Sequence, residues 1–252
     1  MKQTFHVIYS IYAVIVFFLL AIPILIAYLF LKFLPYEKQI DGVYFLNRIL
    51  VFLVAMFTFN SFKDVDIELV DFEKTYVVIA NHNNLMDLLG SAYGNRISAK
   101  PLVKKELGDI PILGQLFQLS SIMVNRSSKD SRKEVLQQMK EELLMGISIM
   151  IFPEGTRNRT HNPLKNFYDG AFELSIYSGF PILPIVFNNV RKIAAPDTLL
   201  IKPGVIEVCY LPPIYPEGYT MDNLEAYKEK CFRIMENYLI ENDDSFKHLK
   251  TT

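Results

Sequence analysis

From Val7 to Leu31 the chain reads VIYSIYAVIVFFLLAIPILIAYLFL, without one charged residue. A helix needs roughly 20 predominantly apolar residues to cross the hydrocarbon core of a bilayer. A helix that is apolar on every side must be covered all round, by protein or by lipid. The run therefore predicts a membrane-embedded helix, in the simplest reading a spanning one, with any kink at Pro23. It ends in LKFLPY rather than at a small-residue cleavage site, which argues against a removed signal peptide. A second apolar segment, Val43 to Phe59, is interrupted by Asn47 and Arg48. It predicts a second membrane-associated helix, one that completes a hairpin or lies in the interface with Arg48 reaching toward headgroups. Lys2, Lys32, Lys38 and Arg48 sit on both sides of the first segment, so charge asymmetry gives no orientation.

Beyond Ser61 the pattern changes to short strand candidates separated by helical stretches. YVVIA (76–80), ISAKPLV, SSIMVNR, SIMIF (148–152), PILPIVF and VIEVCYL have the length and β-branched content of strands. Pro101 places ISAKPLV at an edge or in an interrupted strand. Between them, MDLLGSAYG begins a helix ending near Gly94, and SSKDSRKEVLQQMKEELLMG reads as an amphipathic helix closed by Gly146. Helices over Ala171 to Tyr177 and Leu224 to Ile240 complete the pattern. The alternation predicts an α/β fold, a mixed sheet flanked by helices. Residues 1–61 are expected to form the anchor and 62–252 one globular domain.

Composition bounds the chemistry. The 252 residues are 51% hydrophobic, enough for a sizeable core, and the formal charge of -1 is not a nucleic-acid footprint. Cys209 and Cys231 are far apart in the chain, with neither redox-pair nor zinc-cluster spacing. No metal site is expected.

Two stretches carry reactive groups. In IANHNNLMDLLG (79–90), His82 follows a strand and Asp87 falls early in a helix. Five positions exceed the usual adjacent-face spacing of three or four. The two meet if His82 sits in the turn and Asp87 points back from the first helical turn. Asp87 would then orient one imidazole nitrogen while the other takes a proton from a hydroxyl. The same residues also fit a helix cap with a carboxylate near the helix N-terminus. In FPEGTR (152–157), Glu154, Gly155, Thr156 and Arg157 emerge at a strand end, where open α/β sheets bind ligands. Gly155 permits a close turn, and Arg157 offers a planar fork to phosphate or carboxylate. Glu154 either holds this turn or Arg157 in place, or touches a substrate hydroxyl. Lys104, Lys105 and Arg126 are further cations near strand ends.

With these blocks in view, residues 70 to 190 resemble the glycerolipid acyltransferase family that includes the bacterial 1-acyl-sn-glycerol-3-phosphate acyltransferases. NHNNLMD matches the family's His-x4-Asp motif and FPEGTR its acidic-Gly-Thr-Arg motif. KKELGDIPILG resembles the family's Lys-rich segment before a buried turn, SIMVNR its arginine-bearing second block, and YDGAFELSIYSGFPILPIVF the stretch ending in its proline-containing fourth block. The resemblance implies His82 as general base and Asp87 as its orienting carboxylate. It makes Arg157 the leading phosphate contact, with Glu154, Gly155 and Thr156 shaping the acceptor site and Arg126, Lys104 and Lys105 secondary. Pro184 is expected to shape a substrate pocket. Ser121 and Asn125 stand where relatives often carry glycine and an acidic residue. The implied partners are a lysophospholipid acceptor, acyl-CoA or acyl carrier protein as donor, and the bilayer, with no further cofactor. The implied place is a bacterial inner membrane, with the catalytic domain facing the cytoplasm. A hydrolase and a non-enzymatic lipid-binding protein are the other readings of the same features. The former lacks a Gly-x-Ser-x-Gly elbow, and the latter leaves His82 and Asp87 without a task.

Overall fold

The computed structural model describes residues 2–84, 86–93, 97–110, 113–125, 129–196, 198 and 200–250. Two long helices, α1 (Lys2–Leu31) and α2 (Tyr36–Phe57), come first. Strand β1 (Ser61–Val65), β2 (Val77–Ala80), helix α3 (Met86–Tyr93), β3 (Ala99–Lys104), α4 (Leu113–Ser120) and β4 (Ile122–Val124) follow. The chain continues with α5 (Lys129–Leu144), β5 (Ser148–Ile151), α6 (Gly170–Ser178), β6 (Ile182–Asn188), the short α7 (Val190–Ile193), β7 (Val205–Tyr210) and α8 (Leu224–Asn242).

The strands form one sheet in the order β1-β7-β6-β2-β5-β3-β4. Every neighbouring pair is parallel except β6 with β7, so the expected mixed sheet flanked by helices is what forms. Each central strand is buried on both faces, which is why β2 and β5 read as unbroken apolar runs. On one face Val77, Ile79, Ile149, Ile151 and Val186 pack against Leu143 of α5, Phe172 of α6 and Met235 of α8. On the other, Val78, Ala80, Met150, Ile185 and Phe187 meet Met86 of α3 and Val190 and Ile193 of α7.

Pro101 does not make β3 an edge strand. Residues 99–101 of β3 pair with β5 and residues 102–104 with β4, so Pro101 sits where the strand exchanges one partner for the other. Pro184 occupies a similar point in β6, whose ladder to β2 ends at Ile185 and whose ladder to β7 begins there. A residue without an N–H is tolerated in a sheet interior at such handovers, where no bond is asked of it. Strand β1 was not expected from SFKDV, which alternates poorly and is half exposed.

The two apolar segments form a hairpin. Thr4–Leu31 and Lys38–Phe57 are both long and apolar enough to cross a membrane, with mean hydropathy 3.0 and 1.8. Their seam is built from Ala21, Ile24, Tyr28, Val43, Leu50 and Val54, and it continues onto Leu116 of α4. The helices do not project from the globular part. Near the start of α2, the Tyr36 hydroxyl donates to Glu142 Oε1 at 2.6 Å and receives Lys100 Nζ at 2.5 Å. Just past its end, Asn60 Oδ1 accepts from Gly204 N at 3.0 Å. Both ends of α2 are thus pinned to the domain, and the hairpin lies along it. Phe5, Ile8, Leu19, Phe30, Phe33, Phe45 and Phe52 point outward and are exposed. So large an apolar face is unfavourable in water and suits contact with lipid.

Candidate active site

The site follows from the sheet order. Strands β2 and β5 are parallel neighbours with Ile79 opposite Ile151, so the segments after them leave the same sheet edge side by side. NHNNLMD and FPEGTR are therefore brought together by strand pairing, although more than sixty residues separate them in the chain.

His82 Nδ1 lies 2.8 Å from Asp87 Oδ2. The helix α3 opens directly after the turn, with Asn84 Oδ1 accepting Met86 N at 2.8 Å as a local cap. Asp87, in the first turn of α3, points back so that its Oδ2 also accepts from the backbone N–H of Asn83 and of Asn84. The five-residue spacing thus closes in the way the turn geometry required. An oxygen already accepting two backbone N–H groups acts as acceptor toward the ring, so Nδ1 carries the proton and Nε2 presents its lone pair. Asp87 is fully buried and the His82 side chain 18% exposed, which leaves the imidazole a window to substrate. The imidazole stacks on Phe152, with ring centroids 4.4 Å apart.

Glu154 faces inward. It is 1% exposed. Its Oε1 accepts His82 N at 2.7 Å and its Oε2 accepts Lys165 N at 2.9 Å. Both oxygens accept from backbone, so Glu154 joins the two loops. Burial pushes its carboxyl up to about 7, against the pull of those two N–H groups; nearby Asp87 adds to the rise. Gly155 has φ +70, the left-handed region where a side chain would be strained, and its N–H closes the turn on Phe152 O at 3.0 Å. Thr156 Oγ1 accepts Lys165 Nζ at 2.7 Å.

Arg157 is half-buried, and among the described residues its guanidinium has no hydrogen-bond or ion-pair partner. Lys104 is exposed at the end of β3 and pairs with Glu106 at 3.2 Å. Lys105 is exposed in the following turn. Both stand at the same sheet edge as His82, one strand beyond β5, and no contact joins them to it. Arg126 lies outside the described residues. Pro184 is buried within β6.

Several functional neighbours escaped sequence reasoning. Asn81, Asn83 and Asn84 are all buried; Asn81 grips β6 itself, and Asn83 and Asn84 the segment after it. Asn81 exchanges two bonds with the backbone of Phe187, at 3.1 and 2.8 Å. Asn84 Nδ2 donates to Ala194 O at 2.8 Å. Asn83 Oδ1 accepts Arg191 Nε at 2.8 Å. Asn158, first residue of a glycosylation-like triplet, is fully buried, and its N–H donates to His82 O at 2.6 Å. Its side-chain Nδ2 donates to Asn162 O at 3.0 Å and to Pro163 O at 3.2 Å, so the buried amide is used within the fold and is not presented to a glycan. The run of three asparagines around His82 was the available signal, because buried amides demand partners.

The structure thus sets a His–Asp pair at the parallel edge of a seven-stranded α/β sheet, with an apolar helical hairpin beside it. The fold superposes on the crystal structure of the 1-acyl-sn-glycerophosphate acyltransferase PlsC from Thermotoga maritima with a TM-score of 0.77, covering 96% of this chain and 97% of that one at 20% identity. Residues 61–188 match the acyltransferase family, and the chain belongs to it. An uncharacterized acyltransferase of Schizosaccharomyces pombe is 30% identical over 191 residues, 73% of this chain and 67% of its own length. The 1-acyl-sn-glycerol-3-phosphate acyltransferase of Salmonella typhimurium is 29% identical over 70% of this chain and 71% of its own. The mouse 1-acyl-sn-glycerol-3-phosphate acyltransferase alpha is 32% identical, and the match spans 60% of this chain and 54% of the mouse protein.

Proposed function

We propose that the protein transfers a fatty acyl group from acyl-CoA or acyl carrier protein to the free hydroxyl of 1-acyl-sn-glycerol-3-phosphate, forming phosphatidic acid. The observation that carries this reading is the His82–Asp87 pair, closed at 2.8 Å with Nε2 left open. Nε2 takes the hydroxyl proton as the oxygen attacks the thioester carbonyl carbon. The tetrahedral intermediate collapses, the C–S bond breaks, and the departing thiolate recovers the proton from the imidazolium. Asp87 holds the ring and offsets its positive charge. Arg157, half-buried and without a partner among the described residues, supplies the bidentate site for the acceptor phosphate. Lys104 and Lys105 add positive charge at the same edge, and Arg126 is a further cation for the acceptor. Glu154, Gly155 and Thr156 hold the loop that presents Arg157.

Residues 1–61 anchor the chain, and 62–252 carry the chemistry. Because α2 is pinned at both ends to the domain, the hairpin lies in one leaflet, with the site at the headgroup level where the acceptor phosphate sits. In a bacterium this is the cytoplasmic face of the inner membrane, where both thioester donors are found.

The test is a lipid-reconstituted assay with both donors and a panel of lysolipid acceptors, read by lipid mass. Phosphatidic acid from lysophosphatidate is the expected product. Free fatty acid without a new diacyl lipid would reassign the protein as a hydrolase, and preference for another lysolipid would move the acceptor. His82→Ala is expected to abolish transfer, and near-normal turnover would remove His82 as base. Arg157→Ala is expected to raise KM at least tenfold for the phosphorylated acceptor.

A further inference from the structure

The structure assigns Arg191 as a positioning residue for the His82–Asp87 pair, a role that rests on the acyl-transfer reading above. Its guanidinium uses three donors on three separate acceptors. Nε donates to Asn83 Oδ1 at 2.8 Å, Nη1 to Thr160 O at 2.8 Å and Nη2 to Asn162 O at 3.2 Å. From α7, a third element, it thus ties the turn after β2 to the loop after β5.

The connection to the reacting atoms is short. Asn83, held by its side chain, donates its own N–H to Asp87 Oδ2, the oxygen that also holds His82 Nδ1. Withdrawing the fork releases the residue that fixes this oxygen. Asn81 and Asn84 keep their own bonds to β6 and α7, so the turn stays attached and only the placement of the pair loosens. A misplacement of about 1 Å at a reacting group costs on the order of 100-fold in rate.

Arg191 is itself supported by the C-terminal segment. Its guanidinium lies 4.8 Å over the ring of Phe246, which is 2% exposed. Asp243 Oδ2 accepts Asn189 N at 3.3 Å, and Asn188 Nδ2 donates to Asn242 O at 3.3 Å, both binding that segment to the entry of α7. Lys192 adds an ion pair to Asp244. Lysine cannot replace this fork, because its donors radiate from one nitrogen, whereas three separate guanidinium nitrogens serve the three acceptors here.

The experiment uses the full chain in lipid nanodiscs, with lysophosphatidate and an acyl thioester, and compares Arg191→Met, Arg191→Lys, Asn83→Ala and the Arg191→Met/Asn83→Ala double variant. Each single variant is expected to lower kcat at least tenfold with KM changed less than threefold. The double is expected to be no slower than the slower single, since both break one connection. Losses that multiply, losses confined to KM, or Arg191→Lys at wild-type rate would overturn the assignment. Should Arg191→Met not fold, Asn83→Ala cuts the same connection from its other end, and an unchanged kcat there overturns it equally. Wild-type protein inactive on every acceptor would instead sink the acyl-transfer reading. The nitrogen NMR signals of the His82 ring then test the strap without turnover: they should change in Arg191→Met, and identical spectra refute it.

Discussion

Replacing Asp87 by asparagine separates what the carboxylate does by shape from what it does by charge. Oδ2 accepts from His82 Nδ1, Asn83 N and Asn84 N, whereas Oδ1 is buried and has no partner among the described residues. An amide oxygen fits the first position and an NH2 group the second. The variant therefore keeps the turn, the ring orientation and the Nδ1 proton, and loses only the negative charge. With the histidine protonated in the transition state, opposite charges about 4 Å apart at an effective dielectric near 20 attract by about 4 kcal/mol. Without that term the barrier rises by the same amount, about 1,000-fold in kcat. KM and thermal stability should change little, since the buried NH2 replaces an oxygen that was already unpartnered. Thiol release under saturating acceptor gives kcat, and thermal melting in the same detergent gives stability. An Asp87→Asn enzyme within tenfold of wild type would refute the reasoning, placing the barrier elsewhere than in proton transfer to a charge-stabilised His82.

Three further outcomes follow from the same geometry. Glu154 binds its proton more tightly folded, near 7, than at its ordinary 4.5; its contribution to stability is therefore full below about 4.5 and falls by ~3 kcal/mol as pH rises through 7. Glu154→Gln should flatten the melting temperature across that window, and equal slopes in both proteins would count against it. Lys100→Met leaves Glu142, 3% exposed, as an uncompensated buried carboxylate and should cost ~3–5 kcal/mol, most of it recovered by adding Glu142→Leu, as melting of the single and double variants will show. Gly155→Ala forces a side chain into φ +70 and should cost ~1–2 kcal/mol, with activity lost beyond that cost because Glu154 moves with the turn.

The legible part of the site is the part that is local in sequence. His82 and Asp87 are five residues apart, so a strand, a turn and one helical turn suffice to bring them together, and the turn chemistry of Asn84 was there to be read. The central strands were legible for a related reason: burial on both faces leaves an apolar run in the sequence itself. What escaped consists of single polar side chains at the ends of elements, where periodicity says nothing. Asn81 finds Phe187 and Asn83 finds Arg191 more than a hundred residues away. Those partners exist only because β6 is the other neighbour of β2, a fact of strand order that no window of sequence contains.

The hairpin obeys the same division. Its apolarity was plain, yet the same composition serves a helix that crosses a bilayer and one that lies along a domain. Two polar contacts tie α2 to the domain, Tyr36 to Glu142 at one end and Asn60 to Gly204 at the other. Each lies outside the apolar core of the helix, and each partner comes from a different part of the sheet domain. Hydropathy therefore sets how much apolar surface must be covered, and the end contacts set the angle at which that surface is presented. In this chain those contacts fix the apolar face of the hairpin relative to the parallel sheet edge that carries the His–Asp pair.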